Sequence, residues 1–349
     1  MSLPKPVKKS LFYIFITCIC VVIIVPVFFL ITTSFMSNNE AYTYPLPIIP
    51  AFSYKFEVKK HPSKYGDSYF ISTYNSTLDK YEGVLDTNSI GQIKTYFRQQ
   101  LSVEVTDQEI KEKLKGMVNG DVRNFSFRKS LLYNYATFFN VVRDAVPAFF
   151  RSILVACITI AISLTLGSMC GYAFARYFYK GKDISKISVL FVRMFPGVAL
   201  AVPMVLILTA MGLFDNPFGL SLVYSVGAIA LTAWITSSIF IALPVELEEA
   251  CQVFGASKLR VFWKITLPLA LPGLAASTMY IFLGSWNEVL IAMLLTQNNP
   301  TFPVVVFNTL MGASGEVNLV AAGGIVMFIP AIVFMLIVKK YLKTMWGNT

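Results

Sequence analysis

The stretch EEACQVFGASKLRVFWKITLPLALPG (Glu248–Gly273) sets charges, one glycine and two short helical patterns between long apolar runs. Pro244 ends the apolar run before it. Leu247, Ala250, Cys251 and Phe254 fall at i, i+3, i+4 and i+7, the stripe of a short amphipathic helix, with Glu246 and Glu249 on its other side. Gly255 follows, the residue best able to turn a chain sharply. Ser257 can cap a second helix, in which Leu259, Phe262, Trp263 and Thr266 repeat the stripe while Lys258, Arg260 and Lys264 point elsewhere. Leu267-Pro268 is expected to end that helix at the membrane. The pattern therefore predicts helix, hinge and helix, lying parallel to a membrane face. Two readings fit it: an amphipathic segment lying in lipid headgroups, or a knob that enters a groove on a partner through i, i+3 and i+4 anchors.

Composition places that stretch in a membrane protein. The 349 residues are 56% hydrophobic and only 14% charged, with mean hydropathy +0.63; soluble domains are nearer one quarter charged. Most Asp and Glu lie between Glu40 and Asp144, which implies one water-soluble insertion in an otherwise apolar chain. Six segments are long enough to cross at about 20 residues each: Leu11–Thr33, Phe149–Ala175, Ile184–Met211, Phe218–Leu243, Leu269–Leu295 and Leu319–Leu342. The first follows Lys5, Lys8 and Lys9; its apolar run is too long for a signal peptide, so it reads as a retained anchor. The expected organisation is a cytoplasmic N-terminus and first helix (1–36), an extracytoplasmic insertion (37–146), and a core of five further helices (147–349) carrying a cytoplasmic loop over 244–268.

Lysine and arginine set the sidedness. With the N-terminus inside, the inner segments hold Lys5, Lys8, Lys9, then Arg176, Lys180, Lys182, Lys186, then Lys258, Arg260, Lys264, then Lys339, Lys340, Lys343. The short outer loops Gly212–Pro217 and Thr296–Asn318 hold none, only Asp215 and Glu316. This is a positive-inside pattern with both termini cytoplasmic. The net charge of +10 follows from it and gives no reason to invoke nucleic acid.

The insertion is too long for a plain loop and is expected to fold as a small α+β domain. In VTDQEIKEKLKGMVNGD (Val105–Asp121), Thr106 and Glu109 make a capping-box pattern, Ile110, Leu114, Met117 and Val118 one stripe, and Gly120 a stop. YPLPIIPAF (44–52) reads as an extended exit from the membrane, and Tyr65 to Tyr81 as short strands. Asn75-Ser-Thr and Asn124-Phe-Ser match glycosylation acceptors, a weak pattern. The five cysteines have no zinc-ligand or disulfide spacing, and His61 is the only histidine, which argues against metal sites and Ser-His or Cys-His hydrolysis. There is no Gly-x-x-x-x-Gly-Lys-Ser/Thr phosphate loop, so any ATP hydrolysis belongs to another polypeptide.

The hinge stretch resembles the EAA loop of permease subunits in ATP-binding cassette (ABC) importers, matching at Glu249, Ala250, Gly255, Ala256, Ile265, Leu267 and Pro268. GYAFAR (171–176), RMFPGVALAVPMVLI (193–207), SWNEVLIAMLLTQ (285–297), NY (134–135) and FFRSILVA (149–156) resemble the maltose/oligosaccharide branch, in particular its maltose-type second permease. Two departures stand out: Phe254 replaces the family Asp before the hinge and Cys251 the second Ala. Second permeases of this branch usually have only a short loop where this chain has its insertion, about 45–130, so no residue role carries onto it.

The resemblance implies an all-α six-helix type I permease fold with an α+β insertion after the first helix, working in a bacterial inner membrane. It implies a second permease, two ATPase subunits that bind ATP and Mg, and an external solute-binding protein, with no cofactor or metal on this chain and no catalysis by it. The cargo is expected to be a carbohydrate. Coupling to ATPase closure is expected at Glu248, Glu249, Ala250, Phe254, Gly255, Ala256, Phe262, Leu267 and Pro268; for Phe254, Phe262 and Trp263, groove contact competes with packing back on the permease. Polar groups inside spans suggest a pathway at Arg193, Trp286, Asn287 and Glu288, unless Arg193 and Glu288 satisfy each other or a partner helix. Gly323, Gly324 and Pro330 suit close helix approach. The insertion is expected to meet the solute-binding protein or the partner permease, or to be a decoration. A solitary secondary transporter or channel, and a membrane scaffold with an external interaction domain, are the rival classes; the first gives the knob no purpose, and the second leaves Asn287, Glu288 and Arg193 unexplained.

Overall fold

The computed structural model describes residues 5–63, 66–75, 79–312 and 316–342. Lys343 and most of the Asn75-Ser-Thr pattern lie outside them. The chain forms two compact units, Met1–Arg143 with Thr309–Val326, and Asp144–Asn308 with Met327–Thr349.

In the first unit, α1 (Lys5–Ser34) is a 30-residue apolar helix, long and apolar enough to cross a membrane over Lys9–Ser34. Ser37 then caps α2 (Asn38–Ala41) in a capping box with Glu40. Strands β1 (Ser53–Ser63), β2 (Gly66–Asn75) and β3 (Lys80–Thr87) follow, then α3 (Ile90–Leu101), α4 (Asp107–Leu114), β4 (Val122–Arg128) and α5 (Tyr133–Val141). The sheet is antiparallel in the order β3-β2-β1-β4, with Val58 opposite Ile71 and Phe56 opposite Phe125. Tyr54, Phe56 and Val58 are buried and alternate with more exposed residues, so β1 offers one apolar face, as a period of two dictates. Onto it α3 packs Ile93, Phe97 and Leu101, and α4 packs Ile110 and Leu114.

The Thr106–Glu109 capping box forms as its spacing predicts, and the bond from the Thr106 backbone holds the Glu109 carboxyl below the usual carboxylate range. Such a cap contributes about 1 kcal/mol, whereas burying one Phe contributes about 1.5–3 kcal/mol. The Phe56–Phe97 contact, with centroids 4.4 Å apart, therefore outweighs it. The stripe stops early: α4 ends at Leu114, Gly116 already turns at φ +74°, and Val118 is exposed. The chain is closed behind the sheet by Lys129, whose buried ammonium pairs with Glu40. Burial pushes that ammonium below its usual range, and the Glu40 carboxylate acts against it.

The second unit carries α6 (Ala145–Arg176), α7 (Lys182–Phe191), α8 (Gly197–Ala210), α9 (Pro217–Ala242), α10 (Glu246–Val253), α11 (Lys258–Val261), α12 (Leu267–Trp286) and α13 (Leu290–Leu295). Two further helices, α14 (Phe302–Met311) and α15 (Val317–Leu342), complete the chain. Helices α6 and α9 meet along a seam of small residues. Thr159, Ser163, Gly167 and Gly171 recur every four positions on α6, opposite Ser221, Ser225, Thr232 and Thr236 of α9. A Cβ on Gly171 would stand 2.0 Å from Thr236 Oγ1 and 2.8 Å from the Ala233 carbonyl oxygen. Gly171→Leu is accordingly expected to separate the two helices and abolish recovery of monodisperse protein, read by size-exclusion chromatography in detergent. At Gly324, by contrast, a Cβ would find Leu30 at an ordinary 3.7 Å.

Three expectations about spans change. Ile184–Met211 is not one straight helix: its two halves meet at 91°. Pro196, the expected kink, lacks an N–H and drives Phe195 to ψ 130°, outside helical space. The fifth span stops at Trp286 rather than Leu295, because Asn287–Val289 break the helix before α13. Leu267-Pro268 terminates nothing, since Lys258–Trp286 runs as one 29-residue helix. A π-helical turn over Phe262–Thr266, in which the Leu267 N–H reaches back to the Phe262 carbonyl, shifts the register so that Pro268 is tolerated. Within Thr296–Asn318, read as a loop, α14 forms and buries Phe302–Val306.

Candidate coupling surface and substrate cavity

The hinge is built by hydrogen bonds around Gly255. Its φ is +88°; its N–H donates to the Gln252 carbonyl at 2.9 Å, and the Ala256 N–H to that of Cys251 at 3.0 Å. Those two bonds and a left-handed glycine make a Schellman stop for α10. Ser257 then caps α11, accepting from the Arg260 N–H at 3.4 Å.

The hinge residues divide into two sets. Glu248 turns inward: it pairs with Arg176 Nη2 at 2.8 Å, accepts from Arg176 Nε at 3.0 Å, and takes the Tyr172 hydroxyl at 2.8 Å. Phe262 turns inward as well, with ring centroids 5.0 Å from Tyr172 and 6.2 Å from Phe240. Glu248, placed with the coupling residues, and Phe262, for which packing back on the permease was the alternative, are buried at 4% and 3% and clamp the hinge onto the ends of α6 and α9. Leu267 packs in the same cluster.

The outward set is Glu249, Ala250, Val253, Phe254 and Gly255, with Ala256 half-buried and Pro268 exposed on the continuing helix. Phe254 is 91% exposed and Val253 85%, and on the following helix Leu259 and Trp263 are exposed as well. Charges of both signs surround it, Glu246 and Glu249 on one helix and Lys258, Arg260 and Lys264 on the other. An apolar patch with a charged rim marks an interaction surface.

The expected pathway residues also divide. Trp286 is fully buried, stacked 5.7 Å from Phe282 and edge-on to Phe149, with Nε1 donating to the Met327 carbonyl at 3.1 Å. Both faces of its ring are taken up by packing inside the unit. Asn287 is exposed at the C-cap of α12. Glu288 and Arg193 each have their own partners: Glu288 accepts from the Tyr224 hydroxyl at 2.7 Å and from the Ile291 and Ala292 N–H groups at 2.8 Å. Arg193 lies over the Tyr280 ring, 4.9 Å from its centroid, and donates to its hydroxyl.

Arg193 and Glu288 nevertheless line one half-open cavity of about 350 Å³, together with Tyr224, Tyr280, Met204 and Gly284. Tyr280, Gly284 and Glu288 are spaced by four, a helical signal that sequence reasoning passed over. Arg176 and Tyr172 were quoted in GYAFAR without a role, because their partner Glu248 lies over seventy residues away. Among the described residues, no three His, Cys, Asp or Glu side chains gather as a metal site needs.

Asp215, between α8 and α9, ties that turn to the segment after α13. It accepts the N–H groups of Gln297, Asn298 and Asn299 at 2.9–3.0 Å. Desolvation raises its carboxyl, but those donors outweigh it and hold it below the usual carboxylate range.

Comparison with known proteins agrees with this geometry. The trehalose transport system permease protein SugB of Mycobacterium tuberculosis is 37% identical over 197 residues, 55% of this chain and 72% of that protein. The trehalose/maltose transport system permease protein MalG of Thermococcus litoralis is 29% identical over 218 residues, 61% of this chain and 78% of that one. A chain from the crystal structure of a bacterial ABC transporter involved in import of the acidic polysaccharide alginate aligns over 98% of both chains, with TM-score 0.61 and 16% identity, a likeness of fold. Residues 163–344, which take in the hinge and most of the small-residue seam and of the cavity lining, match the binding-protein-dependent transport system inner membrane component, and the chain belongs to that family.

Proposed function

We propose that this chain is one of two permease subunits of an ATP-driven importer for a carbohydrate in a bacterial cytoplasmic membrane. Two separate ABC ATPase subunits bind ATP and Mg and hydrolyse the nucleotide, and an external solute-binding protein delivers the cargo. Both termini lie in the cytoplasm and the insertion outside, as the basic loops favour. The sugar assignment is supported by the trehalose and maltose systems in which its relatives serve.

The observation that carries the reading is Phe254, an aromatic side chain 91% exposed on a hydrogen-bonded hinge. ATPase closure moves the Glu249–Ala256 knob. The Glu248–Arg176 clamp passes that motion to α6, and the continuous Lys258–Trp286 helix passes it to the cavity wall. Arg193 supports the aqueous side of this picture: a guanidinium at a right-angled break would be costly against lipid but not in a solvated pathway shared with the second permease.

Phe254→Ala is expected to leave thermal stability of the isolated subunit unchanged. It should weaken ATPase association roughly tenfold or more, because truncating an aromatic anchor at an interface costs about 2 kcal/mol or more. Pull-down in mild detergent and microscale binding measure it. A photo-reactive phenylalanine analogue at position 254 should cross-link to an ATPase subunit. If it labels only lipid under every nucleotide condition, the coupling role fails.

A further inference from the structure

The first unit encloses a second cavity, of about 780 Å³, that the transport reading does not use. One wall is the polar face of α3, with Thr95 and Gln99 one turn apart; the opposite face of that helix, Ile93, Phe97 and Leu101, is locked in the core. The other wall is α5, which presents Tyr133, Thr137 and Asn140 at i, i+4 and i+7. Asn38 and Asn318 border the space between the walls.

A solvated helix face would end the matter, but the border is half-buried at Asn38 and buried at Asn318. Asn318 is 3% exposed; its Nδ2 donates to Asn134 Oδ1 at 3.2 Å, while its own Oδ1 is buried without a hydrogen-bond partner. Asn38 repeats the pattern: Nδ2 donates to Gln100 Oε1 at 3.4 Å and Oδ1 is buried without a partner. Buried acceptors without donors are rare and costly. Among the described residues, two such acceptors belong to side chains that border one cavity, whose volume lies within the range of about 300–1,000 Å³ usual for ligand sites.

The chemistry selects the ligand. Amide and hydroxyl side chains supply paired donors and acceptors, which match neighbouring hydroxyls that both donate and accept. The charges at the rim oppose one another, Lys94 and Arg98 against Glu104 and Glu316, and Lys94 is already held by Asp107 at 2.8 Å. An ionic ligand gains nothing from such a set. The half-buried ring of Tyr133 offers an apolar face. We infer that this cavity between α3 and α5 is a binding site for a neutral oligosaccharide, separate from the cavity at Arg193. Only the claim that it meets sugar outside the cell rests on the orientation proposed above.

The test is binding to the full chain in nanodiscs, open to solution on both sides, so that a wrong orientation is not mistaken for absent binding. Maltotriose and cellotriose are the neutral probes and trigalacturonate the acidic one, read by saturation-transfer NMR and titration calorimetry. A neutral trisaccharide should saturate the site. Its Kd should rise at least tenfold in Thr137→Trp, which fills the cavity, and in the double variant Gln99→Ala/Asn140→Ala, whose exposed side chains can be removed without unfolding. Tyr280→Ala should leave it unchanged. The inference is overturned by no saturable binding, by equal binding of trigalacturonate, or by loss of binding in Tyr280→Ala, which would assign the sugar to the other cavity. A photo-cross-linker at Gln99 that captures the solute-binding protein, with sugar unable to compete, would make the cavity a protein-docking pocket and overturn it equally.

Discussion

Gly255→Pro is expected to abolish ATP-driven uptake while the membrane-spanning helices stay folded. The glycine sits at φ +88°, where proline, fixed near −65°, cannot follow. The substitution also removes the N–H that bonds Gln252 at 2.9 Å. Strained backbone costs on the order of 1–3 kcal/mol and the lost bond about 1 kcal/mol. That sum is too local to unfold a bundle sealed along the α6–α9 seam. It is comparable to an entire coupling free energy, typically about 1–3 kcal/mol, so the hinge opens and transmission is lost. Uptake into proteoliposomes should fall roughly tenfold or more, a factor that corresponds to about 1.4 kcal/mol, while ATP hydrolysis by the assembled complex persists. Gly255→Ala separates the causes: a Cβ there meets nothing within 4 Å, so only the left-handed conformation is penalised, by about 1–2 kcal/mol. Uptake should rank Gly, then Ala, then Pro. Normal uptake by the proline variant would show that the hinge transmits nothing.

What was legible in the sequence was local. The Thr106–Glu109 box, the Ser257 cap and the left-handed Gly255 each depend on residues within four positions, and each stands where the spacing puts it. The break at Pro196 was legible as a position; its 91° angle was not, because packing decides how far a freed backbone turns. The continuity of Lys258–Trp286 was hidden because Pro268 signals a stop unless the register before it is π-helical. α14 was missed because a ten-residue apolar helix is shorter than a span and lay in a stretch whose one charge is Glu316. The sheet order places β4 beside β1, a pairing between strands more than sixty residues apart that alternation within a strand cannot foretell. At the candidate site, periodicity found the knob but not its inner face. Three glutamates lie within the first turn of α10, and only Glu248 finds a buried cation, at the far end of α6.

Glu248→Ala is therefore expected to be the most damaging single change in the hinge, although Glu249 is the residue that matches the family motif. The Arg176 side chain is 11% exposed and that of Glu248 6%. Removing the carboxylate leaves a buried guanidinium with the Leu243 carbonyl at 3.0 Å and takes the acceptor from the Tyr172 hydroxyl. Breaking a buried pair from one side typically costs about 3–5 kcal/mol, whereas Glu249→Ala, on an exposed face, should stay within about 0.5 kcal/mol. The two variants should then fail differently. Glu249→Ala is expected to keep its thermal stability and lose ATPase stimulation. Glu248→Ala is expected to lower Tm and free α10, seen as increased proteolysis between Pro244 and Gly255. Uptake should be lost in the same variant. The double variant Arg176→Met/Glu248→Met replaces both charges with apolar side chains of similar length and should recover most of the Tm, since the desolvated charge is gone. Whether it also recovers uptake isolates the clamp's mechanical role. If hydrophobic packing alone seats the knob, transport returns with stability; if the ion pair fixes the angle at which α10 meets α6, stability returns without transport. A Glu248→Ala protein as stable as the parent would mean that Arg176 is not buried in the assembled importer, and the path from knob to α6 would have to run through Phe262 alone.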